Sequence, residues 1–389
     1  MAGTGGWSAR CVCAAVVASV LTACTSPGGE PSSPRSPAAS ATSSPPATGT
    51  TDGTTDGTSG GTTPGPDEPR ARPVRIALAG DVHFEGPLEG RLHDPGTALA
   101  PASAALAAAD LAVVNLETSV GTGGRPEPGK RFTFSASPAA FAALAAAGID
   151  VASMANNHAL DFGRARLPST LRAARSSADA DPPLAVIGIG RDAREAFRPH
   201  LADVRGTLVA TLAASVADQD PTADRTGQWA AAEDRSGVAT ALDPTRLLTG
   251  VRRADGRADV VVVYLHWGVQ GQRCPSADQK SLAARLVQAG ADVVVGSHAH
   301  RLQGDGRLGP AYVAYGLGNF AWYSPGPTGV LTLTVRPPSG PSGRASVVRS
   351  RWWPAAIGVD GVARPVRGAA AADFRGERES LRACAGLAP

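Results

Sequence analysis

From residue 74 onward, short apolar runs alternate with Ala-rich or amphipathic stretches. The run at 74–79 (VRIALA) stops at Gly80-Asp81 and predicts a strand ending in a turn. A helix is predicted around 98–109 and a strand at 111–114. A helix over 138–147 follows, starting with Pro138 in the tolerated first turn and ending at Gly148. The pattern continues with a strand at 149–153, a helix at 167–176, and strands at 184–189 and 207–212. The run 259–265 (DVVVVYL) is the clearest buried strand, and it leads to a helix at 277–289 and a strand at 292–295. Near the end, 329–336 and 346–352 read as an antiparallel pair and 370–384 as a terminal helix. Near-continuous apolar strands alternating with helices indicate a sheet covered on both faces. The predicted fold class is α/β, a four-layer α/β/β/α sandwich over 74–389, preceded by a disordered tether. No fixed-period repeat is visible.

Before residue 74 the pattern is different. Residues 25–73 hold no Val, Leu, Ile, Met, Phe, Tyr or Trp, and TTDGTTDGT is a near-repeat. Such a segment cannot bury enough apolar area to offset its ordering entropy, so a disordered linker is expected that gives reach to a folded domain. Upstream, a short lead ends in Arg10, and a small-residue and apolar run over 11–23 closes in Leu21-Thr22-Ala23-Cys24. The run is too short for a span of about 20 apolar residues and has the form of a secretory signal. Leu-Thr-Ala-Cys resembles a bacterial lipobox, which implies lipidation of Cys24 and an extracytoplasmic domain anchored to the cell membrane. A plain secreted protein and an uncleaved signal anchor are the alternatives. The expected organisation is therefore a lipoprotein signal at 1–24, a linker at 25–73 and one domain at 74–389. Export leaves Cys274 and Cys384 in the globular part, as a disulfide or as two separate thiols.

Lys+Arg 37 against Asp+Glu 34 gives a net charge of +3, too even for a chain that coats nucleic acid. Hydrophobic content of 43% can build a sizeable core, while aromatics at 5% make that core one of Ala, Val and Leu. Among the basic residues only Lys130 and Lys280 are lysine. Gly188-Ile189-Gly190 lacks the third glycine and the helix start of a dinucleotide fingerprint, which argues against NAD.

The polar residues gather where strands end, the place where open α/β sheets bind ligands. Gly80-Asp81-Val82-His83 follows the first strand, Asn115-Leu116-Glu117 the second, and Asn156-Asn157-His158 with Asp161 the third. His266-Trp267-Gly268 follows the long Val-rich strand, and Ser297-His298-Ala299-His300 the next. Five of the 7 histidines lie at these ends; His93 and His200 do not. Singly these motifs are weak, and only His-x-His is a moderate signal, since alternate residues of an extended segment face one way. Jointly they deliver carboxylate, imidazole and carboxamide, a set suited to Mn, Fe, Zn or Co. There are too many ligands for one tetrahedral ion. Two divalent ions about 3.5–4 Å apart would use them all, activating a water and clamping the oxygens of a phosphate.

The order Asp-x-His, acidic residue, Asn-His, His, His-x-His resembles the calcineurin-like metallophosphoesterase superfamily. Within it, the wording resembles the CapA-type capsule or poly-γ-glutamate synthesis proteins. The phrases are Asn115-Leu116-Glu117-Thr118, the stretch from Ala155 through Asn156-Asn157-His158 and Asp161 to Gly163, His266-Trp267-Gly268, the stretch from Gly290 to His298-Ala299-His300, and Gly316-Leu317-Gly318-Asn319-Phe320. The likeness runs from about residue 74 to 323. It implies that Asp81, His83 and His300 hold one ion, that Asn157, His266 and His298 hold the other, and that Glu117 bridges them where the superfamily usually has Asp. It also implies His158 as general acid or transition-state donor, oriented by Asp161. Residues three apart on one turn face each other, so a carboxylate there can fix the imidazole tautomer. His83 agrees with the wider superfamily, whereas many CapA relatives lack a His there.

Trp267, Trp352, Trp353 and Phe320 are read as core packing ahead of a substrate groove, and Asn319 as a hydrogen bonder beside the metals ahead of a ligand. Arg301 and Arg307 lie close to the metal loop. Three functions follow as expectations. One is a two-metal hydrolase acting on a phosphoester or a bond within an envelope polymer. The second is a non-catalytic scaffold or export component working with a membrane polyglutamate synthase. The third is a substrate-binding lipoprotein with a vestigial metal site.

Overall fold

Two sheets carry the architecture of the computed structural model, which describes residues 72–216, 229–340 and 343–389. Every described residue belongs to one compact unit, Pro64–Pro389. The expected signal, with Cys24, and all but the last two residues of the expected linker lie outside the described residues. No helix among the described residues is long and apolar enough to cross a membrane.

The first sheet runs in the order Ala363–Pro365, Ser346–Ile357, Gly326–Arg336, Val74–Val82, Leu111–Leu116, Val151–Ser153, Ala185–Ile187, with Asn319–Ala321 pairing beside Val74–Val82. Its centre is parallel and its C-terminal flank antiparallel, including the long Gly326–Arg336 and Ser346–Ile357 pair. The second sheet runs Asp305–Leu308, Ala311–Ala314, Val293–His298, Val260–Trp267, Thr207–Ser215, His200–Val204.

The side-chain period of two sorts the second sheet into its layers. Val260, Val262 and Tyr264 cluster with Leu78 and Val113 of the first sheet. The alternate residues Val261, Val263, Leu265 and Trp267 cluster with Leu247, Val251, Leu282 and Leu286. Those last four lie on the helices Thr245–Asp255 and Ala277–Gln288, the latter begun by a capping box from Ser276 and Gln279. Leu106, Phe141, Leu144, Leu167 and Leu171, from three helices, cluster with the first sheet. The result is the expected α/β/β/α layering, and the Tyr264 hydroxyl donates across the sheet interface to Ala79 O at 2.7 Å.

The sequence expectations and the structure differ in a few elements. The helix expected around 98–109 is reduced to Ser103–Ala107, because Pro101 has no N–H with which to continue a longer one. The strand expected at 184–189 is two short strands, Ala185–Ile187 and Ile189–Gly190, broken at Gly188 with φ of +86°. Cys274 and Cys384 are disulfide-bonded, with Cα atoms 5.7 Å apart.

Close approach of two loops aims the strand ends. Asp81 N donates to Gly318 O at 2.9 Å, and a Cβ on Gly80 would collide with that carbonyl group. Gly80 and Gly318, the latter at φ +64°, therefore let the end of the Val74–Val82 strand lie against the 316–319 turn.

Candidate metal centre

Each strand end delivers its residue to one place. Asp81, Glu117 and His300 present donor atoms within 4.8 Å of one another, and so do Glu117, His266 and His298. Glu117 belongs to both groups. Asn157 joins the second, its Oδ1 lying 2.8 Å from His266 Nε2. His266 Nε2 also meets His298 Nδ1 at 3.1 Å and Glu117 Oε1 at 3.6 Å. Nitrogen and oxygen atoms able to ligate a cation thus converge on one point. His298 and His300 adopt φ of +89° and +52°, rare for side chains with a Cβ. Strain of this kind persists only where the surroundings over-determine it.

His83 stands differently. It is buried, but it is absent from both groups of converging donors. The Glu85 N–H donates to its Nδ1 at 2.9 Å, and its Nε2 is buried without a hydrogen-bond partner. Its ring packs against Phe134 and Trp322, with centroids 4.9 Å and 4.0 Å away.

His158 sits beside the shared carboxylate, its Nε2 3.7 Å from Glu117 Oε1 and its Nδ1 2.6 Å from Asp161 Oδ2. Asp161 also accepts from Phe134 N–H at 2.6 Å and is paired with the Lys130 ammonium, which in turn donates to Asn157 O. With Nδ1–H directed at a carboxylate, Nε2 is the atom that faces the site.

A chain of amides locks these parts together, and its polarity is fixed by a backbone donor. His158 N–H donates to Asn156 Oδ1 at 3.0 Å. Asn156 Nδ2 therefore donates to Asn115 Oδ1 at 3.0 Å and Leu116 O at 2.8 Å, and Asn115 Nδ2 to Asp81 Oδ1 at 2.8 Å. Asn319 Oδ1 lies 2.8 Å from His300 Nδ1, an acceptor placed to hold that ring's tautomer.

The electrostatics suit cations. Burial, with repulsion from Asp81, pushes the Glu117 carboxyl well above its ordinary value. Both of its oxygens are buried without a hydrogen-bond partner. Burial alone would raise Asp81 as well, but hydrogen bonding to His300 and the charges of His266 and His300 hold it below the usual carboxylate range. Burial, then the neighbouring His298, drives His266 well below 6.5. Burial likewise lowers His158, and burial together with His158 lowers His83 to about 3. Divalent cations require neutral imidazoles and ionised carboxylates of their ligands. The lowered histidines meet that directly, and a cation supplies the opposite charge that the buried Glu117 carboxylate lacks, so these residues fit such ions.

Several parts of the site carried no sequence signal. Phe134 stacks on His158 at 4.1 Å, and Trp322 lies 4.7 Å from the His300 ring. Both come from segments without periodicity. Lys130 had one faint signal, being one of only two lysines in the chain. Of the aromatics expected to pack, Trp267 and Phe320 are core residues, and Trp267 Nε1 donates to Tyr315 O at 2.7 Å.

A layered α/β domain that converges carboxylates, imidazoles and a carboxamide at its strand ends has the chemistry of a metal-site scaffold. Residues 75–324 match the family described as bacterial capsule synthesis protein PGA_cap, and the chain belongs to that family. It is 33% identical over 200 residues to the capsule biosynthesis protein CapA of Bacillus anthracis, covering 50% of this chain and 45% of that protein. It is 31% identical over 173 residues to the PGA biosynthesis protein CapA of Bacillus subtilis, covering 44% and 42%. A probable polyglutamine synthesis accessory protein of Mycobacterium tuberculosis is 31% identical over 251 residues, covering 61% and 63%. Each alignment thus spans less than two thirds of the relative. A solved phosphatase from Mycoplasma pneumoniae aligns with a TM-score of 0.44 and 12% identity, over 73% of this chain and 94% of that one.

Proposed function

We propose that this chain is a lipid-anchored, extracytoplasmic hydrolase of capsule or poly-γ-glutamate synthesis, using two divalent cations to cleave a phosphoester or a bond within the envelope polymer. The observation that carries the reading is the pair of donor clusters sharing Glu117, with His158 Nε2 beside that carboxylate. Asp81 and His300, with His83 next to them, would hold one cation; Asn157, His266 and His298 would hold the other. When bound, such ions polarise the attacked group and provide a nucleophile at neutral pH.

The chain's own residues account for the rest. Asp161, itself held by Lys130 and the Phe134 N–H, keeps the His158 Nδ1 proton directed away from the site. Nε2 then faces the site as an acceptor, and it acts as general acid or transition-state donor when the ring takes up a second proton, a charge that Asp161 favours. Asn156 and Asn115 hold the His158 turn in register with Asp81. Phe134 and Trp322 pack against the rings of His158 and His300 and fix their planes.

The printed names of the relatives support the biological setting. A membrane polyglutamate synthase complex is taken as partner, in line with the accessory-protein name of the mycobacterial relative, and Cys24 as the lipid anchor on the lipobox resemblance alone. No observation favours the scaffold reading over the hydrolase one. The test is turnover by the purified full chain on an activated phosphodiester and on poly-γ-glutamate, before chelation, after it, and after restoring Mn²⁺ or Zn²⁺. The proposal expects loss on chelation and recovery on reloading with at least one substrate. A metal-loaded chain inert on both would contradict it.

A further inference from the structure

Two supports hold the segment that carries His298 and His300, and a disulfide joins them. The first is the 268–276 loop, which follows the strand of His266. Its Gly271 N–H donates to Ala299 O at 2.8 Å, between the two histidines, and its Gln272 O accepts from Gln303 Nε2 at 3.0 Å. The second is the terminal helix Gly368–Ala385, whose Phe374 and Leu381 cluster with Leu302. From the same helix Arg378 pairs with Asp305, and Arg382 Nε donates to Asp305 O at 2.8 Å. Cys274 lies on the first support and Cys384 on the second, 110 residues apart in sequence. Their bond closes a covalent ring that contains both histidines.

The other ties between the supports are weak. Arg273 and Glu377 form a solvent-exposed ion pair, of a kind that contributes little. Lys280 Nζ donates to Cys384 O at 3.2 Å, also at the surface. The loop has little stiffness of its own, since Gly268 and Gly271 stand at φ of +94° and +79°. The strained backbone of His298 and His300 needs its surroundings to hold it, so release of the brace behind Ala299 acts on the ligands themselves. Cys274 is exposed and Cys384 half-buried, which leaves the bond open to an attacking thiolate.

We propose that Cys274–Cys384 is a thiol–disulfide exchange site whose closure holds the His298–His300 segment in its cation-binding geometry. The reactant is a dithiol, a molecule or protein with two neighbouring thiols. One of its thiolates attacks Cys274 Sγ, the S–S bond breaks, and Cys384 leaves as a thiolate. The second thiol attacks the resulting mixed disulfide and releases Cys274, so the dithiol itself closes to a disulfide. Two electrons enter the chain, and the two protons of the dithiol pass to the cysteine thiolates. The reduced chain keeps every ligand but loses the link between the two supports, and with it cation affinity. This rests on the cation-binding part of the proposed function and not on hydrolysis.

The test is the Mn²⁺ affinity of the full chain before treatment with dithiothreitol, after treatment and its removal, and after reoxidation. Peptide mass spectrometry reads the state of the Cys274–Cys384 link, and Mn²⁺ is the probe because thiols hold it poorly. Reduction should weaken binding by about tenfold, the low end for loss of a group that orients metal ligands. Reoxidation should restore it. The double variant Cys274→Ser, Cys384→Ser should bind as weakly as the reduced chain and be indifferent to dithiothreitol. Far-UV circular dichroism should stay unchanged throughout; its loss would show the bond holding the whole fold and would overturn the assignment. Equal affinity of the oxidised and reduced chains would overturn it too, as would a link that dithiothreitol leaves closed. A double variant that still responds would place the effect in Cys11, Cys13 or Cys24 instead. A native chain that binds no Mn²⁺ would overturn the cation reading and this one together. Affinity that follows the disulfide without turnover in either state would overturn hydrolysis alone.

Discussion

Glu117→Gln is expected to stabilise the metal-free chain at neutral pH and to abolish most of the stabilisation that added Mn²⁺ or Zn²⁺ gives the native chain. Glu117 is fully buried, and neither oxygen has a hydrogen-bond partner. Its folded-state pKa is raised, by burial first and by Asp81 next. A carboxyl raised on folding stabilises the fold below its unfolded pKa, and that contribution is lost as pH rises through the folded value. The native metal-free chain should therefore weaken from mildly acidic to alkaline pH, and Glu117→Gln should weaken less. Removing the buried charge should yield about 1–3 kcal/mol at pH 8, reduced by whatever the amide leaves unpaired. Cations that bind only the folded chain should raise native stability by about 2.7 kcal/mol at a hundredfold excess over Kd. Loss of the residue common to both donor groups should remove most of that rise. Thermal melts with chelator and with metal, at pH 5 and 8, read both effects. A destabilised metal-free variant with an undiminished metal shift would contradict this account of Glu117.

His158→Ala should lower kcat by about 10²- to 10⁴-fold with metal content unchanged, the range for loss of a positioned proton donor. The ring is held by Asp161 on one nitrogen and reaches the site with the other. Asp161→Asn alone should also be costly, because an amide can present its NH₂ to Nδ1 and so favour the wrong tautomer. The double variant should be no worse than His158→Ala, since Asp161 acts through the imidazole and residues that work as a unit are not additive. Additive losses would mean that Asp161 has a separate task. Full turnover in His158→Ala would remove the histidine from the chemistry altogether.

The backbone of this site was legible because apolar runs end abruptly in polar residues, as at Leu78-Ala79-Gly80-Asp81 and Val294-Val295-Gly296-Ser297-His298. Burial forces the strand, and where its apolar run stops the chain is free to present ligands. The strands outlast their apolar runs, so Asp81, His266 and His298 lie in the last residues of Val74–Val82, Val260–Trp267 and Val293–His298 and not after them. What stayed hidden came from loops and edges. Phe134 and Lys130 reach the site from a stretch whose spacing follows neither 2 nor 3.6, so nothing local marks them. The edge strands His200–Val204, Asp305–Leu308 and Ala363–Pro365 are short and partly polar, without a continuous apolar run. The Cys274–Cys384 pairing joins positions 110 residues apart, which only the folded arrangement brings together. His83 is a mixed case: its Nδ1 accepts a backbone N–H that the motif does not reveal, while its Nε2 is buried without a hydrogen-bond partner.

The claim under all of this is that five strand ends cage a pair of cations. Metal content settles it most directly, measured by elemental mass spectrometry on the purified full chain after equilibration with Mn²⁺ or Zn²⁺ and removal of unbound ion. The account predicts about two ions per chain, falling sharply in Glu117→Gln. A native chain that retains none, or one whose content is unchanged by Glu117→Gln, would contradict it.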